Sequence, residues 1–259
     1  MSQLKLSSIK NIIKSSLPNF LLRRYTQYKS LRRHRQYKWQ NEYNGLSTRE
    51  VFTTIYEAGA WAKSNEPALG FCSGPGSHDT NLVIPYIEAL QKTLSSFPKK
   101  PNVVDLGCGD FYVGSQIRSL FDSYIACDIV ESLIDFNKQK YKELDVDFRV
   151  LDLTSDELPH ADIVLIRQVL QHLSNKEINA AIPQIASKYN YLVLTEHLPK
   201  DVYFLPNLDK PAGPDIRLYV KSGIILTSPP FNLQVKETTC ICETEERGGI
   251  IRTNLYKLS

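Results

Sequence analysis

Val103-Val104-Asp105-Leu106-Gly107-Cys108-Gly109-Asp110-Phe111-Tyr112-Val113-Gly114 is the stretch that decides the fold. It opens as a short apolar run, the pattern of a strand buried on both faces of a parallel sheet. Gly107 and Gly109 break the run with a tight turn, where a ligand can approach bare backbone. Beyond them, Val113, Ile117, Leu120 and Phe121 recur at helical spacing. Strand, glycine turn and helix make the first half of a nucleotide-binding unit, with the ligand at the carboxyl end of the strand. The spacing is not that of a dinucleotide site. The pattern G-x-G-x-x-G needs its third glycine at position 112, which is Tyr, and the third glycine arrives only at Gly114. Asp105, an acid inside the strand, is also out of place beside a pyrophosphate.

Downstream the pattern repeats. Residues 123–129 read as a second strand ending in Asp128 and Ile129, and Asp128 lies about 20 residues past the glycine turn, which suits a carboxylate accepting from ribose hydroxyls. Residues 131–144 are helical, and 146–151 form a third strand followed by Asp152 and Leu153, where Asp152 reads as a turn or cap residue. Residues 161–167 make a fourth strand, and Ser174 with Glu177 forms a capping box for a helix over 175–188. Residues 190–196 are the fifth strand, with His197 at its carboxyl end. Strands alternating with helices predict a doubly wound parallel sheet. Residues 198–231 lack periodicity and are rich in proline, and so long an irregular stretch is more often functional than idle. Residues 233–244 and 250–258 alternate as strands about a turn at Arg247-Gly248-Gly249, a terminal antiparallel hairpin.

Upstream, residues 47–66 read as a helix capped by Ser47 or Thr48, with Val51, Phe52, Ile55, Tyr56 and Trp61 at helical spacing. The loop 71–80 is rich in turn residues, among them Ser73, Gly74, Gly76 and Ser77. It is either a connector or a lid whose N–H groups and hydroxyls bind an anion. A second helix over about 80–95 carries Leu82, Ile84, Ile87, Leu90 and Leu94.

A chain of 259 residues, 42 % apolar and 23 % charged, suits one globular domain with additions. Its five cysteines have no metal-like spacing, so no metal is expected, and Cys240 and Cys242 read as buried thiols sharing one strand face in a reducing cytoplasm. No apolar run reaches the ~20 residues that span a bilayer. The net charge of +3 hides an asymmetry: residues 1–41 hold ten Lys or Arg and no acid, which leaves 21 basic against 28 acidic residues elsewhere, a net of −7. In this arm Leu4, Ile9, Ile12, Ile13 and Leu17 form an apolar stripe that Pro18 interrupts and Phe20, Leu21 and Leu22 resume. It lacks the uninterrupted apolar core and cleavage site of a secretory signal. Three roles stay open for it: a cover packed on the domain or on a second subunit of a homodimer, contact with an acidic membrane surface, or contact with nucleic acid through the interleaved Tyr25, Tyr28, Tyr37 and Trp39. The first is favoured and nucleic acid is the least favoured. The expected organisation is a basic helical arm (1–45), a helical cap with the glycine loop (46–98), and a domain (99–259) with an acceptor-side insertion at 198–231.

Asp105-Leu106-Gly107-Cys108-Gly109-Asp110 resembles the first motif of class I methyltransferases, which bind S-adenosylmethionine, and the resemblance covers residues from about 70 to 259. It implies an α/β fold with a seven-stranded, doubly wound, mostly parallel sheet and a C-terminal antiparallel hairpin. That cofactor also accounts for the departures in the glycine turn. It has no phosphate, and its ammonium and sulfonium favour carboxylates and carbonyls. By resemblance, Asp105, Gly107 and Gly109 lie along its methionine part, Asp128 with Ile129 on the ribose, and Asp152 with Leu153 near the adenine. Ser73, Gly74, Gly76, Ser77, Asp110 and Arg167 complete the implied cofactor site. Ser73-Gly74-x-Gly76-Ser77, Arg167-x-x-Leu170-x-His172-Leu173 and Pro229-Pro230-Phe231 are similar to a bacterial subgroup often associated with polysaccharide or surface-glycan gene clusters. That subgroup usually carries an acid after the arginine, where this chain has Gln168.

Methyl transfer is an in-line displacement that gains most from alignment and exclusion of water. A sugar hydroxyl also needs a general base, whereas an amine needs only to be unprotonated. His197, placed past strand five, is the first candidate base and His172 the second, although a His ahead of a helix is often structural in this fold. Tyr203, Asp209 and Arg217 are candidates to hold the acceptor, and Arg167 and Arg217 suit a phosphate or carboxylate. The expectation is a cytoplasmic S-adenosylmethionine-dependent methyltransferase, at the membrane's inner face if the arm touches lipid. It would act at oxygen on a small molecule or glycan precursor, phosphorylated or nucleotide-linked. The rivals are an RNA or protein methyltransferase that holds its polymer with the arm, and a cofactor-binding scaffold without turnover.

Overall fold

The computed structural model describes residues 18–40, 42–61 and 70–258. Its sheet has seven strands in the order β3-β2-β1-β4-β5-β7-β6. β1 (Val103–Leu106), β2 (Tyr124–Asp128), β3 (Asp147–Val150), β4 (Ile163–Arg167) and β5 (Tyr191–Pro199) are parallel. β7 (Gly249–Leu258) runs antiparallel to β5 and to the edge strand β6 (Val235–Glu246). β1 is central because all four of its residues are buried, and it pairs on both sides. Val104 and Leu106 point into one apolar layer, with α2 (Thr48–Glu57) and α7 (Asn175–Lys188). Val103 points into the other, with α4 (Thr80–Leu94) and α5 (Tyr112–Ile117). Each fully buried aliphatic side chain contributes about 1.5–3 kcal/mol, so these two layers hold the strand ends in place.

Several expectations are corrected. The helix predicted over 47–66 ends at Glu57. Gly59 takes a left-handed φ of +60°, and the Ala60 N–H closes the end on the Ile55 carbonyl at 3.0 Å. Residues 62–66 of that predicted span, like the apolar stripe of the first 17 residues, lie outside the described residues. On α4, Val83 and Tyr86 are buried while Ile84 is exposed. β5 runs on to Pro199 because β7 pairs with it along its whole length, so His197 sits inside the strand opposite Ile251 rather than past its end. Cys240 is exposed, not buried, on an edge strand whose register slips between Cys240 and Cys242.

In the arm, α1 (Asn19–Gln36) follows Pro18. It is fastened by polar contacts: Ser30 Oγ donates to the Lys221 carbonyl and Thr26 Oγ1 to Asp201, each at 3.1 Å. Among the described residues no helix is long and apolar enough to cross a membrane.

Candidate active site

Beyond the carboxyl ends of β1 and β4, where the strand order reverses, lies a cavity of about 550 Å³. Its floor is the turn after β1. Gly107 and Gly109 have φ of +77° and +57°. A Cβ on Gly107 would collide with Val169, and one on Gly109 with Ser73 Oγ, so only bare backbone fits. Asn137, on the buried face of α6 (Glu131–Lys140), fastens the turn by donating from Nδ2 to the Gly109 carbonyl at 2.7 Å. Gly114 plays a separate part. It leaves room for the ring of Phe111, buried edge-on among Tyr124, Tyr141 and Phe148.

Two buried carboxylates face this turn. Asp105 accepts from the Tyr124 hydroxyl at 2.8 Å. Asp128, ending β2, accepts the Gly109 N–H on one oxygen and the Val130 N–H on the other, both at 3.1 Å. Each oxygen of Asp128 keeps a lone pair for a further donor. Burial pushes both carboxyls up to about 6, a cost that a nearby cation or hydroxyl donor offsets. Ile129, Asp152 and Leu153 continue the wall. Asp152 Oδ1 accepts from Thr154 N–H at 2.8 Å and Oγ1 at 2.7 Å, so its turn role is filled while it still lines the cavity.

The glycine loop folds over the floor rather than merely connecting helices. Ser73 and Asp110 exchange two hydrogen bonds, and the Tyr56 hydroxyl meets Ser73 Oγ at 3.0 Å. Burial alone would raise the Asp110 pKa. Hydrogen bonds from His78 at 2.6 Å, Ser73 and Tyr112 hold it below the usual carboxylate range. Arg167, at the end of β4, donates to the Gly76 carbonyl at 2.7 Å and to Ser77 Oγ at 3.4 Å, while its buried Nε has no partner. Gly74, at φ +86°, precedes the short helix α3 (Pro75–His78). Donor atoms of Cys72, His78 and Asp110 lie within 4.8 Å of one another, but Asp110 is already engaged by His78 and Ser73.

On the far side, Gln168 takes a left-handed φ of +58° after β4 and packs against Gly76, where a Cβ would collide with it. His172 ends a 3-10 turn, Leu170–His172. Its Nδ1 faces the Gly213 carbonyl and its Nε2 faces the Gln171 amide nitrogen, each at 3.3 Å. A carbonyl only accepts and an amide NH₂ only donates, so the proton sits on Nδ1 and the Nε2 lone pair is taken. Burial, with Lys210 nearby, drives its pKa down to about 3. His172 is therefore a neutral structural imidazole, contrary to its expected catalytic role. His197 differs: Nε2 donates to the Glu246 carbonyl at 3.0 Å, which leaves the lone pair on Nδ1. Burial lowers its pKa, so the ring is neutral at pH 7, and it lines the cavity. Phe52, Tyr56 and Trp61 form an aromatic wall, with Trp61 5.1 Å from both Tyr56 and His172.

The three residues expected to hold the acceptor do not line the cavity. Arg217 is 1 % exposed, and its guanidinium donates to the carbonyls of Leu208, Leu170, Gln171 and Leu173 and to Asn175 Oδ1 at 2.7–3.1 Å. It brackets the turn after β4 and has no donor to spare for an anion. Asp209 Oδ1 accepts the Asn175 N–H at 2.7 Å, at the start of α7. Tyr203 sits in a turn with its N–H on Asp201 Oδ1 at 3.1 Å. The irregular stretch instead contributes Pro214, Asp215, Ile216 and Tyr219. Sequence reasoning also passed over Asn137 and Gln171. Asn137 did carry a signal, a polar side chain one helical turn beyond the core residue Leu133. Gln171 carried none, because the 3-10 turn alone aims it at the cavity.

S-adenosylmethionine fits this donor set. The two glycines leave a backbone cradle, and the buried acceptors Asp105 and Asp128 suit its cationic groups and ribose hydroxyls. Residues 103–189 match the family described as a methyltransferase domain. In fold the chain is similar to magnesium protoporphyrin IX methyltransferase from Synechocystis PCC 6803 with bound SAM. The identity is 18 % and the TM-score 0.55, over 83 % of this chain and 99 % of that one. It is likewise similar to N-methyltransferase NodS from Bradyrhizobium japonicum WM9 in complex with S-adenosyl-l-homocysteine. There the identity is 13 % and the TM-score 0.53, over 80 % and 98 % of the two chains. No curated protein matches the chain by sequence. The matched segment is a methyltransferase domain, and with the fold it supports an S-adenosylmethionine-dependent methyltransferase.

Proposed function

We propose that this methyltransferase acts at a hydroxyl oxygen of a small glycan precursor. The observation that carries the reading is His197: a neutral imidazole on the cavity wall whose Nε2–H is committed to the Glu246 carbonyl, leaving Nδ1 as a lone-pair base. An amine acceptor would not need such a group, whereas a hydroxyl does, with a gain of ~10²–10⁴-fold. Bound here, S-adenosylmethionine supplies a methyl group activated by its sulfonium. The chain's own part is to orient and enclose. The Gly107–Gly109 turn and Asp128 set the donor's position, the loop held by Asp110 and Arg167 excludes water, and His197 takes the hydroxyl proton as the new bond forms. A cavity of about 550 Å³ must hold donor and acceptor together, which favours a small acceptor or the end of a chain. The similarity to methyltransferases of polysaccharide gene clusters supports a sugar as that acceptor.

The test is to incubate the protein with isotopically labelled methyl donor and a panel of nucleotide sugars and glycan phosphates. A product carrying an O-linked methyl by NMR, formed about 10²-fold or more slowly by His197→Ala at unchanged cofactor affinity, is expected. A methyl group on nitrogen, or an unaltered rate in the variant, overturns the reading.

A further inference from the structure

Helix α1 presents an exposed face to solvent. Helical spacing places Leu21, Arg24, Tyr25, Tyr28, Arg32 and Arg35 on the side away from Ser30, the helix's one buried residue. Tyr28 is 63 % exposed, and at the margin of this face Phe20 is 62 % exposed. The helix carries no acid, and residues 1–41 hold ten cations against a net of −7 for the rest of the chain. Phe20, Leu21, Tyr25 and Tyr28 stay exposed along the first turns of the helix, whereas a face packed on the domain would bury them. Long cationic side chains that lie along apolar neighbours while their heads meet anions, with tyrosines at the same level, suit the headgroup layer of a membrane. The cations surround the helix instead of leaving a wide apolar stripe, so attachment is electrostatic first and insertion is shallow. A nucleic acid would take up the cations and tyrosines but leave Phe20, Leu21 and Leu31 in water.

We infer that α1 docks the protein on an anionic phospholipid surface. The helix is fastened to the catalytic domain through Ser30 to Lys221 and through Thr26 to Asp201, beside which Val202 is 79 % exposed. Just past its end Tyr37 stacks on Tyr219 at 5.8 Å, and Tyr219 lines the catalytic cavity. The docked arm is thus joined to one wall of the catalytic cavity. Resting on the methyltransferase reading, this makes the acceptor an amphiphile presented at the membrane, such as a lipid-linked sugar, rather than a freely diffusing one.

The experiment is cosedimentation of the full chain with phosphatidylcholine vesicles and with phosphatidylcholine–phosphatidylglycerol vesicles. Binding to the anionic vesicles alone is expected, weakening steeply with added salt. The triple reversal Arg24→Glu, Arg32→Glu, Arg35→Glu should reduce it by about tenfold or more. Leu21→Ser with Tyr28→Ser should reduce it severalfold at unchanged charge. These residues lie outside the cavity, so unchanged melting temperature and cofactor titration show that the variants are folded. Equal partition to neutral and anionic vesicles, or indifference to the reversal, overturns the proposal. So does tighter binding of a single-stranded RNA that ignores Leu21→Ser alone and falls with Tyr28→Ser alone. Vesicle binding by a protein that takes up no S-adenosylmethionine would leave the docking intact and sink the enzymatic reading.

Discussion

Ser73 and Asp110 are joined by a reciprocal pair of hydrogen bonds: the Ser73 N–H donates to Asp110 Oδ2 at 2.9 Å, and the Asp110 N–H donates to Ser73 Oγ at 2.8 Å. This pair ties the glycine loop to the turn after β1, where the cofactor is expected. Ser73→Ala keeps the first bond and deletes the second, along with the partner of the Tyr56 hydroxyl. At about 1 kcal/mol per bond the loop should open more often, and S-adenosylmethionine affinity should fall by about 1–2 kcal/mol in calorimetry. Wild-type affinity in this variant would show that the loop plays no part in holding the cofactor.

Asp128 holds the same turn and is the residue expected at the ribose. Asp128→Ala should weaken cofactor binding by about 1–3 kcal/mol, because it removes charge-assisted hydrogen bonds and the anchor of the Gly109 N–H. The pH dependence has a definite sign. Burial raises this carboxyl from 3.8 to about 6, against the pull of N–H donors from Val130 and Gly109. The carboxylate is thus ionised above that value and loses its charge as pH falls through it. Wild-type affinity should drop between pH 7 and pH 5. Asp105 titrates over the same range, so Asp128→Ala should show a shallower slope rather than none. Parallel affinity curves for the two proteins would remove Asp128 from the ribose.

The parts of this site that could be read in the sequence are those fixed by local chemistry. The run Val103–Leu106, its glycine turn and the position of Asp128 follow from strand periodicity and the length of one strand–helix unit, and all three meet at the cavity. The misread parts depend on contacts between distant segments. His197 looked terminal because β5 is lengthened by β7, whose pairing residue Ile251 is far along the chain. His172 looked available because nothing local shows that Gln171 and Gly213 occupy both of its nitrogens. Arg217 looked like an anion site because a stretch without periodicity hides its folding back onto the carbonyls after β4.

The burial of Arg217 predicts a structural phenotype. Arg217→Ala leaves the carbonyls of Leu170, Gln171 and Leu173 without a donor, and Arg217→Lys cannot span the same set from a single ammonium. Losses of about 3 kcal/mol or more are expected for the alanine variant in urea unfolding, with at most partial rescue by lysine. An Arg217→Ala protein of wild-type stability but raised acceptor KM would return this residue to the acceptor site.

Close to that guanidinium, Glu196 is 2 % exposed, and neither carboxyl oxygen has a well-formed hydrogen bond. Burial pushes its pKa from 4.5 up to about 8, with Arg217 and the backbone of Leu170 and Gln171 opposing the shift. The folded protein therefore binds one more proton than the unfolded chain between those two values, so this residue's contribution to stability falls as pH rises through that window. The loss amounts to about 3 kcal/mol by pH 7. Glu196→Gln has nearly the shape of the protonated acid and does not titrate. It should match the wild type to within about 1 kcal/mol at pH 5 and exceed it by about 3 kcal/mol at pH 7, measured by urea unfolding across that range. A constant difference between the two proteins at all pH values would mean that Arg217 keeps Glu196 ionised in the folded state, and that the pair is an ion pair rather than a neutral acid beside a cation.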